Sequence, residues 1–507
     1  MSDVLVVGAG PTGLAAALQA QAHGADVRVV ERRPDAFRRS RAMMVHSRTL
    51  EALRPLGVVE ELLDRADRTP SADLHLGRRL VRVRLDRVAL RDTPYPHFTL
   101  LRQADLEEVL ARTLESRGVR VERGVTAVDV GAGEEHATAT LVADGHTREA
   151  TSGFVVGCDG PESTVRHAAG IGWHGKPYGQ EVVLADVELD GELAPGVLHA
   201  APGAAGLVFV FALGEGASWR VLATRGCRTD GEFGQPGAPV PSAEVEGILR
   251  GAGLDVTVAE QRWSAAVRLQ HRLAGTFRHG RLLIAGDAAH AHSPAAAQGM
   301  NTGILDAVNL GWKLALADDD GLLVDSYDSE RRPVAAQVLA LTHAVFFAEA
   351  STGPLPRVLR SRMLPAAAPL LPALVAERHL MGAVVWLLSQ RWVHHRDSVL
   401  SVETVTGGPG PRPGDRLPDG EVISDGRRVR LHELTARPGM HVLLARDAAD
   451  PGLVATHVQV HRVESWPGGG LAAVRPDGFV GLRSGDGDAG ALAAWLGVAG
   501  VRVLDRR

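Results

Sequence analysis

Residues 4–31, VLVVGAGPTGLAAALQAQAHGADVRVVE, restrict the fold more than any other stretch of this chain. The uninterrupted apolar run at 4–7 reads as a strand buried on both faces, as in a parallel sheet. It enters a turn marked by Gly8, Gly10 and Gly13, with Pro11 and Thr12 between them. A Leu/Ala helix is predicted from Leu14, with Gly24 as its stop signal, and a second apolar strand at 27–30 ends in Glu31. Strand, glycine turn, helix, strand and acid in that order form the βαβ dinucleotide fingerprint. Gly8 permits the tight turn, Gly10 lets backbone approach a pyrophosphate, and Gly13 lets helix and strand pack closely. The positive end of the helix dipole favours the phosphates. Glu31, 18 residues beyond Gly13, suits the ribose hydroxyls of an adenosine and would repel a 2′-phosphate, so an NAD-like or FAD-like nucleotide is expected.

Context carries this reading, because spacing does not. With 58 glycines in 507 residues, G-x-G-x-x-G recurs by chance, and residues 170–175 and 485–490 both match it. Neither copy has a buried strand before it and a Leu/Ala helix after it.

Two further signals lie downstream. In residues 155–166, VVGCDGPESTVR, an apolar strand ends in Asp159-Gly160, and Ser163 and Arg166 open a helix. Asp-Gly is also an ordinary strand-end turn. In residues 281–294, RLLIAGDAAHAHSP, an apolar strand ends in Gly286-Asp287 and a loop of small residues follows. Gln298-Gly299-Met300-Asn301-Thr302-Gly303 then opens a helix predicted over 304–317. Backbone N–H groups at that helix start suit an anionic or carbonyl-rich ring edge.

In this order the motifs GAGPTG, CDGPESTVR and GDAAHAHSP…QGMNTG resemble those of the class A flavoprotein aromatic hydroxylases, the para-hydroxybenzoate and phenol hydroxylase type. The chain is most similar to the branch acting on aromatic polyketides in actinomycetes. Arg41-Ala-Met with Arg48-Thr-Leu-Glu, the stretch LRQADLE at 101–107, and Tyr327 with Glu330-Arg331-Arg332-Pro333 resemble further segments of that family, so the likeness spans essentially the whole chain.

The resemblance implies non-covalent FAD, NADPH as transient reductant and O2 as co-substrate. It assigns the turn Gly8, Gly10, Pro11, Thr12 and Gly13 to the dinucleotide, and Glu31 and Arg32 to its adenosine end. Arg41 and Gln103 would meet pyrophosphate and ribityl, and Asp287 the ribityl chain. The Asp159 segment would serve FAD and NADPH, and Pro294, Gly299, Met300 and Asn301 would lie about the isoalloxazine. One departure stands in the loop: Ala296 and Ala297 occupy positions where the family usually has two glycines. The implied reaction is hydroxylation of a phenolic, polycyclic polyketide through a C4a-hydroperoxyflavin. Baeyer–Villiger insertion or epoxidation on the same scaffold and a non-catalytic flavoprotein are the alternatives; the W-x-W-x-I-P signature of flavin halogenases is absent. No residue is nominated by sequence as the base that ionises the phenol.

The implied architecture is α/β: a Rossmann-like FAD-binding domain, a mixed-sheet substrate domain and a C-terminal thioredoxin-like domain. The FAD-binding domain is expected to be discontinuous, over 1–70, 101–174 and 276–333. Short alternating runs at 71–100 and 175–275 read as a mostly antiparallel β-rich substrate domain. Within it Phe209, Phe211 and Trp219 read as sheet core before pocket. Residues 334–400 read as helical with one apolar face, which serves either as a dimer surface or for internal packing, and a Gly/Pro-rich segment at 407–414 marks a boundary. Residues 401–507 form the tail, and no cysteine beyond Cys227 means no C-x-x-C chemistry there.

Composition removes other classes. The net charge of −5 gives no basic field for nucleic acid. Two cysteines, Cys158 and Cys227, cannot build a disulfide framework, an iron–sulfur cluster or a Cys-rich zinc site. Only Lys176 and Lys313 are lysine, a bias that fits GC-rich coding. His290 and His292 have metal-like spacing without a third ligand and read as loop structure, so no metal is expected. Asp3 leaves no basic n-region for a signal peptide, and the apolar stretch at 363–376 is short and broken by Pro365, Pro369 and Pro372. A cytoplasmic monomer or homodimer without a membrane partner is expected.

Overall fold

The structure is a computed structural model. It describes the chain apart from residues 37–38, 69–70, 78, 85–89, 204–205, 213, 318–320, most of 352–377, 405–408, 465–468, 486–487 and 505–507.

Strand β1 (Ser2–Val7) is followed by helix α1 (Pro11–Ala22) and strand β2 (Val27–Glu31). Proline at the helix start costs nothing there, because its missing N–H would have no intrahelical partner. Strand β3 (His146–Gly157) lies on the other side of β1, and both neighbours run parallel to it, with Val7 opposite Val30 and Gly157. The chain then leaves for a second sheet through β4 (Trp173–Gly191), β5 (Trp219–Gly226) and β6 (Val256–Ala274). It returns as β7 (Leu282–Ile284), parallel to β3. Parallel pairing demands cover on both faces, and Val4, Leu5, Val6, Val155, Val156, Leu283 and Ile284 are accordingly buried in one continuous core with α1.

In the second sheet β4 is sandwiched between β5 and β6, antiparallel to both. The hairpin Ser71–Leu76/Arg79–Arg84 joins its far edge through Val197–Pro202. That last pairing is parallel, an exception in a sheet read as mostly antiparallel, because its two strands come from separate excursions out of the first sheet. The core of this layer includes Val183, Ala185, Val187, Val210, Trp219 and Val221.

Helix α2 (Gln298–Ala315) packs along α1, and α3 (Leu322–Ala350) follows. The helix expected over 304–317 thus starts at Gln298, where the 3₁₀ turn Ala295–Ala297 feeds directly into it. By length and composition α3 could cross a membrane, but here Tyr327, Val334, Val338 and Phe346 are buried against the chain itself. A further helix spans Arg378–Leu388. The apolar stretch at 363–376 falls largely outside the described residues.

The tail is built on β8 (Met440–Ala445), β9 (Val458–Val463), β10 (Leu471–Val474), β11 (Val480–Ser484) and helix α4 (Ala489–Val498). Strand β8 runs parallel to β9 and antiparallel to β10, and β10 and β11 form a hairpin. The Gly/Pro-rich stretch is no free linker where it is described. Arg483 of β11 donates to the carbonyls of Pro409 and Pro411, and the Gly414 N–H donates to the Val480 carbonyl at 2.6 Å.

Candidate active site

The three glycine-bearing motifs, far apart in sequence, meet at the carboxyl edge of the parallel sheet. The Gly8 N–H donates to Val30, the Cys158 N–H to Val7, and the Ala285 N–H to Gly157, at 2.8, 2.8 and 3.0 Å. The Gly8 turn, the Asp159 turn and the Gly286-Asp287 turn therefore leave adjacent strands side by side. A crevice outside such strand ends is where open α/β sheets bind ligands. The turn is tight enough to require glycine: a Cβ on Gly13 would lie 1.9 Å from the Gly8 carbonyl oxygen, and one on Gly8 2.4 Å from that of Cys158.

A cavity of about 490 Å³ opens over this edge. Of the residues nominated from sequence, Gly8, Gly10, Pro11, Thr12, Glu31, Arg32, Arg41, Gln103, Asp159, Asp287, Pro294, Gly299 and Met300 line it. Gly13 lies behind the turn, doing the packing work assigned to it. Asn301 does not reach the cavity. It is buried and accepts from the His46 N–H and the Thr49 hydroxyl, and donates to the carbonyls of Met44 and Ala297. Those four bonds use up its side-chain amide, which fixes Met44 and the start of α2.

The lining fits FAD on its own chemistry. Helix α1 aims an N-terminus with no side-chain cap and no acid in its first turn at the cavity, and that end favours phosphate. Glu31 accepts from the Ala9 N–H at 2.8 Å and from the Arg33 backbone and side chain. Burial opposes its charge, but those donors outweigh it and hold the carboxyl below its usual range. Asp159 accepts from the Thr164 N–H at 2.7 Å through one oxygen, while its other oxygen is buried without a hydrogen-bond partner among the described residues. Burial pushes this carboxyl up. Such an orphaned acceptor calls for a donor from outside the chain. Asp287 lines the cavity and takes no hydrogen bond among the described residues. Arg41 is tied to the Gly234 carbonyl, and Gln103 sits between the Ala42 N–H and Glu107. Arg32, half exposed, lies 3.7 Å from Glu232.

Three positioning groups escaped the sequence reading. Arg166 donates to the Pro161 and Ala288 carbonyls at 2.6 and 2.9 Å, clamping the second motif to the third, with Trp173 over its guanidinium. Asp306 of α2 holds His290 at 2.6 Å, the Gly286 N–H at 3.2 Å and Arg331 at 2.8 Å. His290 is thus loop structure, while its neighbour His292 lines the cavity. Arg220 of β5 pairs with Asp186 of β4 and Glu215 and donates to the Ser40 carbonyl, anchoring the segment that carries Arg41 to the second sheet. Each is an arginine or aspartate whose decisive partner lies 20 or more residues away, so even Arg166, which stands inside the second motif, carries no local mark of what it holds.

Beyond the motif edge the cavity turns apolar. Val182 and Leu184 of β4, Phe209, Phe211, Leu222 and Phe346 form its far wall. Phe209 and Phe211, read as core, face the cavity; Trp219 is core, against His199.

A family model described as FAD binding domain matches residues 1–342. The chain is 33% identical to 6-methylpretetramide 4-monooxygenase of Streptomyces rimosus, over 95% of this chain and 91% of that protein. It is 30% identical to pentachlorophenol 4-monooxygenase of Sphingobium chlorophenolicum, over 95% and 87%. Among solved structures, an aromatic hydroxylase from angucycline biosynthesis superposes with a TM-score of 0.76 at 28% identity, covering 98% of this chain and 99% of that one.

Proposed function

The chain belongs to the FAD binding domain family, and from that premise we propose that it hydroxylates a polycyclic aromatic polyketide at the expense of NADPH and O2. It is an FAD-dependent monooxygenase of aromatic substrates. The observation that carries the finer reading is the continuity of the cavity from the dinucleotide cradle to the Phe209–Phe211 wall. That supports an apolar ring system lying next to the flavin. The substrates for which the two relatives are named, 6-methylpretetramide and pentachlorophenol, support the aromatic class.

When bound, FAD supplies the activation of O2 with electrons from a reduced nicotinamide. The chain supplies position. The Gly8–Thr12 turn and the α1 N-terminus would hold the pyrophosphate, Glu31 the adenosine ribose, and Asp287 the ribityl hydroxyls. Pro294, Gly299 and Met300 would border the ring. The apolar wall admits an aromatic substrate and keeps water from the reacting centre.

The domains we propose are FAD-binding over 1–70, 101–174 and 276–333, substrate-binding over 71–100 and 175–275, a helical segment over 334–400, and a thioredoxin-like tail over 401–507. The two excursions out of the parallel sheet support the first two. The parallel β8–β9 pair, the β10–β11 hairpin and α4 support the last. A cytoplasmic setting supplies FAD and NADPH, to a monomer or homodimer.

The test is direct. Protein supplied with FAD is expected to retain it and turn yellow, and Asp287→Ala to hold it at least about tenfold more weakly, as loss of charged hydrogen bonds predicts. Aromatic polyketides are then screened for accelerated NADPH oxidation, and the product is analysed by mass after reaction under labelled oxygen. One new labelled hydroxyl supports the proposal. Colourless protein overturns the cofactor assignment, and ring expansion or cleavage overturns hydroxylation.

A further inference from the structure

On the aromatic-substrate reading above, Glu349 stands apart from the other ionisable groups of the cavity. The other carboxyl groups lining the cavity, Glu31, Asp159, Glu162 and Asp287, belong to the dinucleotide end. Glu349 stands in the last turn of α3, on the apolar side. Thr342, Phe346 and Glu349 follow at helical spacing, so they share one face. That face is docked: the Thr342 carbonyl accepts from Ser293 at 3.3 Å, and the Phe346 ring lies 4.8 Å from that of Tyr178. At the end of the face, a Cβ on Gly206 would lie 2.0 Å from the Thr224 hydroxyl and 3.0 Å from the Glu349 carbonyl, so β5 and α3 close together there.

Among the described residues the Glu349 carboxyl has no hydrogen-bond or ion-pair partner. The charged and titratable groups on the elements packed around it have partners of their own, apart from the His292 Nε2 and the Arg268 Nε, which are buried without a hydrogen-bond partner among the described residues. Glu181 of β4 is taken by Arg225 and Thr229, and Tyr178 by His271 and His343. Arg268 of β6 donates to the Gly231 carbonyl, and His292 meets the Ser293 carbonyl. Burial without a compensating charge raises the Glu349 pKa to about 7. An acid so placed can hold a proton or release it near neutral pH.

We propose that Glu349 is the proton acceptor for a phenolic hydroxyl of the substrate. Its carboxylate takes the hydrogen bond of that hydroxyl. As the ring carbon gains oxygen, the phenol O–H bond breaks and a Glu349 O–H bond forms. The electron pair left on the phenolate oxygen enriches the ortho and para carbons. The ring carbon loses its own hydrogen as a proton, the second oxygen atom of O2 leaves as water, and the proton held by Glu349 returns to the product phenolate, leaving the carboxylate ready for another turnover. A neutral phenol is the preferred ligand, because an anion would meet a like charge.

The probes are 2-naphthol and its hydroxyl-free counterpart naphthalene, titrated into the FAD-loaded protein and followed by flavin absorbance and naphthol fluorescence. Wild-type protein is expected to bind 2-naphthol about tenfold tighter above about pH 8 than below about pH 6, the size of one hydrogen bond to a charged group. Glu349→Gln should lose that dependence and bind 2-naphthol about tenfold more weakly at the upper pH. Naphthalene should bind both proteins equally. A pH dependence that survives in Glu349→Gln overturns the proposal, as does an equal loss for naphthalene or a wild-type protein without any such dependence. Failure of wild-type protein to bind either probe overturns the aromatic-substrate reading along with it, whereas equal binding of 2-naphthol by both proteins overturns the role of Glu349 alone.

Discussion

Ala296 and Ala297 carry the sharpest local signature of the site. Their φ angles are +58° and +52°, the left-handed region that favours glycine. They stand where the resembling family usually has two glycines, so the backbone course is kept while a methyl is added at each position. Holding an L-residue there costs on the order of 1 kcal/mol, and the docked neighbours evidently supply it: Asn301 bonds the Ala297 carbonyl and His46 lies 3.1 Å from that of Ala296. Ala296→Gly and Ala297→Gly should each raise stability by about 0.5–1 kcal/mol, read by urea unfolding of the FAD-free protein. A loss in either variant would mean that the methyl contacts outweigh the strain. Both residues line the cavity, so the same variants should also accept bulkier ligands. The presence of alanine was legible in the sequence. Its conformation rested on the turn joining Pro294 to α2.

At the scale of elements, the close approach of α1 and α2 brings the first motif against the third. A Cβ on Gly303 would lie 2.4 Å from the Thr12 hydroxyl, and one on Gly311 2.7 Å from the Gln19 Cβ. Gly303→Ala should therefore cost about 1–3 kcal/mol, the usual range for an overpacked core. Thr12→Ala removes the atom in the way, so the double variant should recover part of the loss. A thermodynamic cycle measured by urea unfolding decides, and strictly additive losses would show that Thr12 is not the obstacle. Local pattern gave the elements themselves: Gly-turn, Leu/Ala helix and apolar strand each follow from short-range backbone preferences. It could not give Glu349, because a carboxylate near the end of a mostly apolar helix reads as solvated surface. Only the sheet packed across α3 makes it a cavity group.

Across the whole molecule, buried ion pairs join the tail to the cofactor-binding layer. Glu51, in the helix Ser47–Leu53, meets Arg48 at 3.4 Å and Arg416 of the tail at 3.1 Å, and Arg48 also donates to the Asp477 carbonyl. A second knot sets Glu330 of α3 against Lys313 of α2 and Arg475 of the tail, at 2.9 and 2.7 Å. Burial would raise the Glu51 pKa, but Arg416 and its neighbouring cations win and hold it at about 2, below its ordinary 4.5. A depressed carboxyl stabilises the fold above the unfolded value and loses that contribution as pH falls from 4.5 to about 2. The amount at stake is about 3 kcal/mol. Glu51→Gln should cost about 3–5 kcal/mol near neutral pH, since it strands buried guanidinium groups. It should also flatten the acid limb of stability, measured by urea unfolding at stepped pH. Parallel wild-type and variant curves would remove Glu51 from the acid response.

The sequence by itself determined the dinucleotide turn, the two later strand-end motifs and the order in which they come. These are written locally, because a glycine that must admit a backbone or an apolar run that must be buried leaves its mark within a few residues. Only the tertiary structure decided that Asn301 turns away from the cavity, that Phe209 and Phe211 face it, and that Arg166 and Asp306 hold the motifs together. Those outcomes depend on partners brought close by strand register and helix packing, and such proximity has no expression in neighbouring residues.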